Sequence, residues 1–286
     1  MLAIFTCVAL VLGLVLGWTF LTRGFKVSKV IYPYCSDVFY KNRFEKGEKA
    51  TLEVLSQPFV FLGKGCQIYA FESLDGKYVL KLVKLHRYRI PFYKRFLSGF
   101  FQNRLLSAEI KQKKRLEATF AHYRLAMERL PKETALLYAH FDPSCRIGLP
   151  AFLTDRLGRN FEIDLNQTFF LIQKKAVNFK DKLLLLQQEG DFAKTSFFLD
   201  LVVGHLKQRM AYGVFDNDHP GYARNLGFVQ NEAISIDVGN FRLKEKPSAE
   251  DLQKEYFSCL KQLLHWAKKR YPEAAQYLRE KYRVED

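Results

Sequence analysis

The sequence predicts an α+β protein with two lobes, of which the first is rich in β-strands and the second, smaller one is rich in α-helices. Strand patterns at 58–85 precede most of the helical patterns, and a continuous apolar run at 168–177 leads from one lobe to the next. A separate apolar segment occupies residues 2–22. We therefore place the strand-rich lobe at 58–177 and the helical lobe at 178–286.

The composition excludes several classes of protein. With 48% hydrophobic residues, 15% aromatic residues and five cysteines, the 286-residue chain is neither a disordered segment nor a disulfide scaffold. The scattered cysteines lack the spacing of zinc ligands and suit a reducing compartment. Lys and Arg number 45 against 30 Asp and Glu, and none of these charges falls in residues 2–22. A multi-spanning membrane protein is therefore also excluded.

The N-terminal apolar segment predicts one transmembrane helix, because about 20 apolar residues suffice to cross a bilayer core. Trp18 and Phe20 lie near its end, where aromatic residues often meet the interface. A cleaved secretory signal is the alternative, but no positive region precedes the run and no small-residue cleavage site follows it. Positive charge on the C-terminal side favours a single-pass protein whose main domain faces the cytoplasm. Residues 23–57 are polar and predict a juxtamembrane linker.

Within the first lobe, residues 58–85 predict three strands joined by a glycine turn and a tight turn. A helical pattern extends from about 104 to 130, and a hairpin is expected to turn at Gly158. The second lobe is predicted to contain three main helices, at 179–189, 192–212 and 249–271. On the second of these, Phe197 and His205 are expected to lie on one buried face.

Two features of the first lobe could contact a phosphorylated ligand. Gly63 and Gly65 lie between two strands, where glycine lets backbone N–H groups approach phosphate oxygens closely. This pattern is also typical of an ordinary hairpin, and no helix follows it as in a P-loop. Lys81 lies in an otherwise apolar strand, where its charge needs a partner.

A polar segment of the second lobe offers oxygen ligands. Asp216, Asp218, Asn225 and Asp237 fall within residues 213–240, between helical patterns. Carboxylate and amide oxygens suit Mg²⁺, which binds through few protein ligands and substrate phosphates. Asp and Asn also build ordinary turns, so their presence alone does not distinguish the two interpretations.

The order of these features resembles the protein-kinase-like superfamily, including its small-molecule phosphotransferase branches. The resemblance covers about residues 58–243 and implies a two-lobed protein-kinase-like fold that uses ATP and Mg²⁺. It implies that Gly63, Gly65 and Lys81 contact the nucleotide phosphates. Where the family's loop has its third glycine, this sequence has Ile68.

The same resemblance assigns metal and catalytic roles in the second lobe. Asn225 and Asp237 match the two metal ligands, and their separation of twelve residues is close to the family's. Asp218 is the favoured catalytic residue, although its spacing to Asn225 is two residues longer than usual. The alternative is Asp216, because His219 opens a segment similar to the H-P-G-N motif of small-molecule kinases. Either carboxylate would orient the acceptor hydroxyl or accept its proton.

The resemblance further implies a glutamate partner for Lys81 on the helix predicted near 104–130. Glu117 is preferred because the partner usually lies in the middle of this helix, and Glu109 and Glu128 are the alternatives. No A-P-E motif follows Asp237, and the helical lobe is short. These departures favour a small-molecule kinase, a lipid kinase or an atypical protein kinase, and the acceptor hydroxyl could belong to a small molecule, a lipid or a protein. A pseudokinase, or a nucleotide-binding scaffold at the membrane without turnover, is the alternative.

The positive charge is concentrated at residues 84–115, which contain ten Lys and Arg residues and one acid, Glu109. Aromatic residues are interleaved with these charges. Such a stretch suits an anionic membrane surface, where each basic residue contributes about 1 kcal/mol. Single-stranded nucleic acid or a solvated helical face would suit the same composition, but the apolar N-terminus favours the membrane over nucleic acid.

Overall fold

The computed structural model of the chain describes residues 2–31, 48–90, 102–142 and 147–285, and it omits the side chains of residues 2–4, 48–50 and 102–105. The chain divides into two compact units. The first comprises Met1–Glu117 and Leu137–Gln173, and the second comprises Ala118–Leu136 and Lys174–Asp286. The first holds the large sheet and the second most of the helices, which confirms the predicted α+β class.

Helix α1 spans Leu2–Leu21 and is apolar on all sides. Its large side chains are exposed, with Phe5 and Leu14 at 72% and 73% of their full accessible area. Among the described residues, no helix has the length and apolarity needed to cross a membrane. The predicted helix is therefore present, whereas the described residues do not support its crossing of a bilayer.

The segment after α1 differs from the predicted linker. Phe25 and Val30 are buried in the core of the first unit, and Ile31 forms a β-bridge with Thr168. A 3₁₀ turn occupies Val27–Lys29, and helix α2 spans Glu48–Leu55. Apolar side chains spaced among the polar residues account for this packing, since they can be buried while their neighbours stay in solvent. The rest of the predicted linker, residues 32–47, lies outside the described residues.

The first unit contains a seven-stranded sheet with the order β4-β7-β3-β2-β1-β5-β6. Its strands are β1 (Phe59–Lys64), β2 (Ile68–Ser73), β3 (Tyr78–Val83), β4 (Leu136–His140), β5 (Pro150–Thr154), β6 (Asn160–Asp164) and β7 (Phe170–Lys174). The three predicted strands at 58–85 and the hairpin that turns at Gly158 are confirmed. Strands β1, β2 and β3 pair antiparallel, whereas β1 pairs parallel with β5.

Alternation along β1, β2 and β3 decides which face of the sheet each side chain occupies. Lys81 pairs with Ala70, and its neighbour Leu82 pairs with Tyr69. Tyr69 and Leu82 belong to the buried apolar cluster that includes Phe25, so this cluster covers one face. Lys81 therefore lies on the opposite face.

The second unit is mainly helical. Its helices are the C-terminal part of α3 (Gln102–Arg129), α4 (Pro131–Thr134), α5 (Phe179–Gln188), α6 (Phe192–Ala211), α7 (Ala249–Arg270) and α8 (Pro272–Tyr282). The predicted helices agree with α3, α5, α6 and α7 to within about two residues. His205 is buried as expected, but Phe197 is 47% exposed and the adjacent Phe198 is buried. The buried face of α6 is thus rotated by one residue from the predicted one.

Five short strands of the second unit support its polar loops. They are β8 (Val177–Asn178), β9 (Val214–Asp216), β10 (Leu226–Val229), β11 (Glu232–Ser235) and β12 (Phe241–Leu243). Strand β10 pairs antiparallel with both β11 and β8, and β9 pairs antiparallel with β12. A 3₁₀ turn at His219–Arg224 joins β9 to β10. These pairings bring the start and the end of the segment 213–243 together.

Candidate functional site

The β10–β11 hairpin places Asn225 beside the start of the Asp237 segment. Leu226 pairs with Ser235, and just beyond this pair the Ile236 amide donates to the carbonyl oxygen of Asn225 at 2.7 Å. Asn225 and Asp237 therefore emerge from the same end of one hairpin, although twelve residues separate them in the chain. Both residues are half-buried. A ligand at this end could reach both side chains.

Asp218 belongs to the same group through direct hydrogen bonds. Asn225 Nδ2 donates to Asp218 Oδ2 at 3.1 Å, and the amide of Gly221 donates to Asp218 Oδ1 at 3.2 Å. The carboxylate lies where a Cβ atom on Gly221 would stand, because such an atom would come within 2.1 Å of Oδ2. A glycine is required at position 221 for Asp218 to hold this position.

The donor set suits a hard cation. Because Asn225 uses its amide nitrogen on Asp218, its amide oxygen is left for a metal. Asp237 accepts the Gly239 amide on Oδ1 at 3.1 Å, and its second oxygen can serve as a ligand. One amide oxygen and one carboxylate with water and phosphate oxygens would match Mg²⁺. The residues present therefore fit the metal that the family resemblance implies.

Asp216 occupies a different environment from Asp218. It is buried, and its Oδ1 accepts the Asp218 amide at 2.9 Å. The Arg209 guanidinium lies 3.8 Å from its Oδ2. Burial raises the pKa of Asp216, and Arg209 opposes this effect. This geometry suits a residue that positions the loop of Asp218.

A buried ion network supports Asp216. Arg209 on α6 donates to Glu255 Oε1 on α7 at 2.5 Å, and the Asp216 amide donates to the same oxygen at 3.0 Å. His219 Nε2 lies 2.7 Å from Glu255 Oε2. Arg209 and Glu255 are 0% and 4% exposed, so their charges must compensate each other. Sequence patterns did not indicate this network, because Glu255 lies 36 to 46 residues from His219, Asp216 and Arg209 and shares no motif with them.

His219, Glu255 and Cys259 bring one potential metal-ligand atom each within 4.8 Å of one another. The Arg209 guanidinium already contacts Glu255 and lies 3.5 Å from the Cys259 sulfur. Burial raises the pKa of the Cys259 thiol far above its usual range, which opposes the thiolate that a metal needs. We therefore interpret this group as part of the ion network.

The C-terminal part of α3 contacts the segment that follows Asp237. His122 Nδ1 donates to the carbonyl oxygen of Gly239 at 2.5 Å. Burial lowers the pKa of His122, and the hydrogen bond to Gly239 opposes this effect. The family resemblance implied a glutamate on this helix, and His122 was not among the predicted site residues. A search for a donor to the Asp-Val-Gly backbone would have included it.

In the first unit, the predicted nucleotide contacts lie in β1, in the turn after it and in β3, and β2 separates the two strands in the sheet. Gly63 is in β1 at an irregularity of its pairing with β2, and a Cβ atom there would meet no atom within 4 Å. The Gly65 amide donates to the carbonyl oxygen of Ile68 across the turn, at 3.0 Å. Lys81 is 5% exposed in the middle of β3. The packing of the described residues leaves room beside Gly63, whereas the Gly65 amide is already bonded within the turn.

The candidate glutamates all lie on α3, and they differ in exposure. Glu117 is half-buried, whereas Glu109 and Glu128 are exposed. Glu117 belongs to the first unit, as Lys81 does. The pairing of Glu117 with Lys81 stays a prediction.

Lys84 is a further residue beside the glycine turn that the sequence pattern did not single out. It is 7% exposed, and its Nζ donates to the carbonyl oxygen of Gly65 at 2.5 Å. Arg87 donates to the carbonyl oxygen of Cys66 at 3.0 Å. Both residues therefore hold the glycine turn from the face opposite Lys81.

No protein-family model matches the chain, and no curated protein sequence matches it either. Sixteen chains of known structure match by fold comparison. One belongs to the bifunctional kinase-methyltransferase WbdD, with 13% identity and a TM-score of 0.36 over 77% of this chain and 43% of that chain. Another is in the ternary complex of streptomycin, ATP and APH(2")-IIa, with 13% identity and a TM-score of 0.26 over 84% and 87% of the two chains. The present chain thus spans less than half of the WbdD chain.

Proposed function

We propose that the protein is a kinase-like phosphotransferase that uses ATP and Mg²⁺ and phosphorylates a hydroxyl group. The observation that carries this proposal is the end of the β10–β11 hairpin, where Asn225, Asp218 and Asp237 are held together by backbone and side-chain hydrogen bonds. Oxygen ligands beside a second carboxylate are what phosphoryl transfer requires, since catalysis there depends on positioning and charge stabilisation.

In this proposal each residue has a distinct role. Asn225 and Asp237 would hold Mg²⁺, which neutralises charge on the transferred phosphoryl group when it is bound. Asp218 orients the acceptor hydroxyl and can take its proton, because its carboxylate is partly exposed beside Asn225. Asp216 positions the Asp218 backbone. Lys81, with the turn of Gly63 and Gly65, would contact the nucleotide phosphates, and Glu117 would support Lys81.

The second candidate is a pseudokinase that binds a nucleotide at the membrane without turnover. The bond between the Gly65 amide and Ile68 favours this candidate, because it removes one donor from the phosphates. The longer spacing from Asp218 to Asn225 favours it as well.

An ATP turnover assay separates the two candidates. Purified full-length protein is incubated with γ-labelled ATP and Mg²⁺, and release or transfer of the label is measured. The phosphotransferase proposal predicts turnover that falls at least 100-fold in Asp218→Asn, within the range typical of acid–base residues. The exposed Asp164→Asn serves as the control with a matched change of charge. Mg²⁺-dependent binding of ATP without turnover in the unmodified protein would select the pseudokinase.

We also propose that α1 attaches the protein to a membrane, with both units on the cytoplasmic side. The exposure of its apolar side chains supports this, since a helix that is apolar on all sides is stable only where its surface is covered. Lys and Arg of the stretch 84–115 would add attraction to anionic lipid, although residues 91–101 lie outside the described residues. Alkaline extraction of membranes from expressing cells tests the attachment, and recovery of the full chain in the supernatant would exclude it.

A further inference from the structure

A cluster of cationic side chains lies on the face of the large sheet opposite Lys81. The segment that follows α1 in the chain packs against it. Its members are Lys29, Lys64, Lys84 and Arg87, with Tyr69 at the centre. The pairing of Lys64 with Tyr69 places Lys64 on this face, and Lys84 lies with its Nζ 4.4 Å from the centre of the Tyr69 ring. The cluster is therefore distinct from the proposed nucleotide site.

Gly24 holds the segment after α1 against this cluster. Its carbonyl oxygen accepts from Lys29 Nζ at 2.6 Å and from the Tyr69 hydroxyl at 2.7 Å. A Cβ atom on Gly24 would lie 3.6 Å from Lys29 Nζ and 4.0 Å from Lys64 Nζ. The ammonium groups of Lys29 and Lys64 therefore both lie beside Gly24, which is three residues beyond the last residue of α1.

Within the described ranges, the charges of this cluster are not compensated by acidic side chains. No carboxylate of the described residues forms an ion pair with Lys29, Lys64, Lys84 or Arg87. Burial and the charge of Lys64 lower the pKa of Lys84 to about 8, and burial and neighbouring lysines lower the pKa of Lys29. Each cation therefore destabilises the next, and a bound anion would remove this repulsion.

The cluster is also accessible and rich in donors. Lys64 and Arg87 are exposed at its rim, whereas Lys84 is 7% exposed and fixed by its bond to Gly65. Each ammonium has three donors, and the bonds to Gly24 and Gly65 use one donor of Lys29 and one of Lys84. Fixed lysines with free donors suit a compact anion with several oxygens.

We propose that this cluster binds the phosphate group of an anionic lipid headgroup. The lipid is favoured as the source of the phosphate because Gly24 and Lys29 follow α1 directly, and Arg159 lies over the Trp18 ring at 4.9 Å near the same end of the helix. Aromatic and basic residues at a helix end lie at the depth of lipid headgroups. This choice of source rests on the proposed attachment of α1 to a membrane.

A thermal-shift experiment with soluble lipids tests the site. Full-length protein in a neutral detergent is titrated with dihexanoyl phosphatidic acid, dihexanoyl phosphatidylcholine or inorganic phosphate. The proposal predicts a saturable rise in Tm with phosphatidic acid, because a ligand that binds the folded state stabilises it, and a much smaller rise with the other two. Lys64→Met, an exposed position, is expected to weaken the affinity for phosphatidic acid about fivefold, as the loss of one nearby charge implies. Lys84→Met is expected to abolish the shift.

The matched control is Lys77→Met, which removes an exposed lysine from the turn between β2 and β3 and should leave the affinity unchanged. No shift with phosphatidic acid, or a shift that Lys64→Met leaves unaltered, would overturn the site. Equal shifts with inorganic phosphate and phosphatidic acid would overturn the lipid as its source. The binding of these short-chain lipids requires neither ATP nor a membrane. A failure of the proposed ATP binding or membrane attachment can therefore be distinguished from a failure of this site.

Discussion

Single contacts hold the proposed catalytic residues in place, and the contact of Gly221 with Asp218 is the one that a substitution would disturb most. The Asp218 carboxylate occupies the space of a Cβ atom at position 221, with a separation of 2.1 Å. Gly221→Ala must therefore displace Asp218 and break its bond to Asn225. We expect this variant to lose ATP turnover to about the same extent as Asp218→Asn, while its far-UV circular dichroism is unchanged.

Gly204 provides the matched control for this substitution. It lies exposed within α6, and a Cβ atom there would meet nothing within 4 Å. Gly204→Ala should leave turnover unchanged and raise the free energy of unfolding by about 0.5–1 kcal/mol, because alanine loses less backbone entropy in a helix. Equal turnover in Gly221→Ala and the unmodified protein would contradict the role of Asp218.

At this scale the sequence indicated the residue types but not their surroundings. Asn225 and Asp237 could be selected because their spacing resembles a known pattern, and the β10–β11 hairpin joins them, whereas the spacing from Asp218 to Asn225 departs from that pattern by two residues. Asp216 and Asp218 could not be separated by spacing, since their difference is one of burial. The burial of Lys84 could not be predicted, because it depends on the contacts of Lys84 with the Tyr69 ring and the Gly65 carbonyl oxygen.

At the scale of elements, the Arg209–Glu255 contact joins α6 and α7 and supports the loop after β9. Arg209→Met would leave Glu255 and Asp216 buried without a cation. We predict a fall of about 3–5 kcal/mol in the free energy of unfolding, measured by urea denaturation, as is typical when one partner of a buried pair is removed.

The double variant Arg209→Met, Glu255→Gln distinguishes charge from packing. If uncompensated charge causes the loss, the double variant should be more stable than Arg209→Met alone. A double variant that is less stable by the full sum of the two single effects would show that the network acts through packing instead.

Most regular elements could be predicted because their periodicity is local. The strands β1 to β3 alternate, and α5, α6 and α7 carry apolar faces and breakers at their ends. Periodicity could not show which segment, distant in the sequence, covers a given face of the sheet or of a helix. The burial of Phe25 beneath the sheet, and the place of β4 at its edge, depend on contacts between residues at least 30 positions apart. The one-residue error in the face of α6 arose because Phe197 and Phe198 are both apolar.

At the scale of the whole molecule, buried histidines make stability depend on pH. Burial lowers the pKa of His140 to about 4 in the first unit and that of His205 to about 4 in the second. In the unfolded chain both have their ordinary pKa of about 6.5. Between these values the unfolded state binds more protons, so the free energy of unfolding rises with pH.

We therefore predict that acidification from pH 7 to pH 5 destabilises both units, by about 2 kcal/mol for each histidine at pH 5, which lies about 1.5 units below the unfolded pKa. Urea denaturation at a series of pH values measures this slope. His205→Gln should flatten it, whereas replacement of the exposed His265 by Gln should not. An unchanged slope in His205→Gln would show that other groups cause the dependence.

In the proposed function, the end of the β10–β11 hairpin holds Mg²⁺ together with a nucleotide. Thermal unfolding of the protein with ATP, measured with and without Mg²⁺, tests this binding. We predict that millimolar ATP raises Tm, that Mg²⁺ increases this rise, and that Asp237→Ala abolishes the Mg²⁺-dependent part. No rise with ATP under either condition, or a Mg²⁺-dependent rise that persists in Asp237→Ala, would contradict the claim.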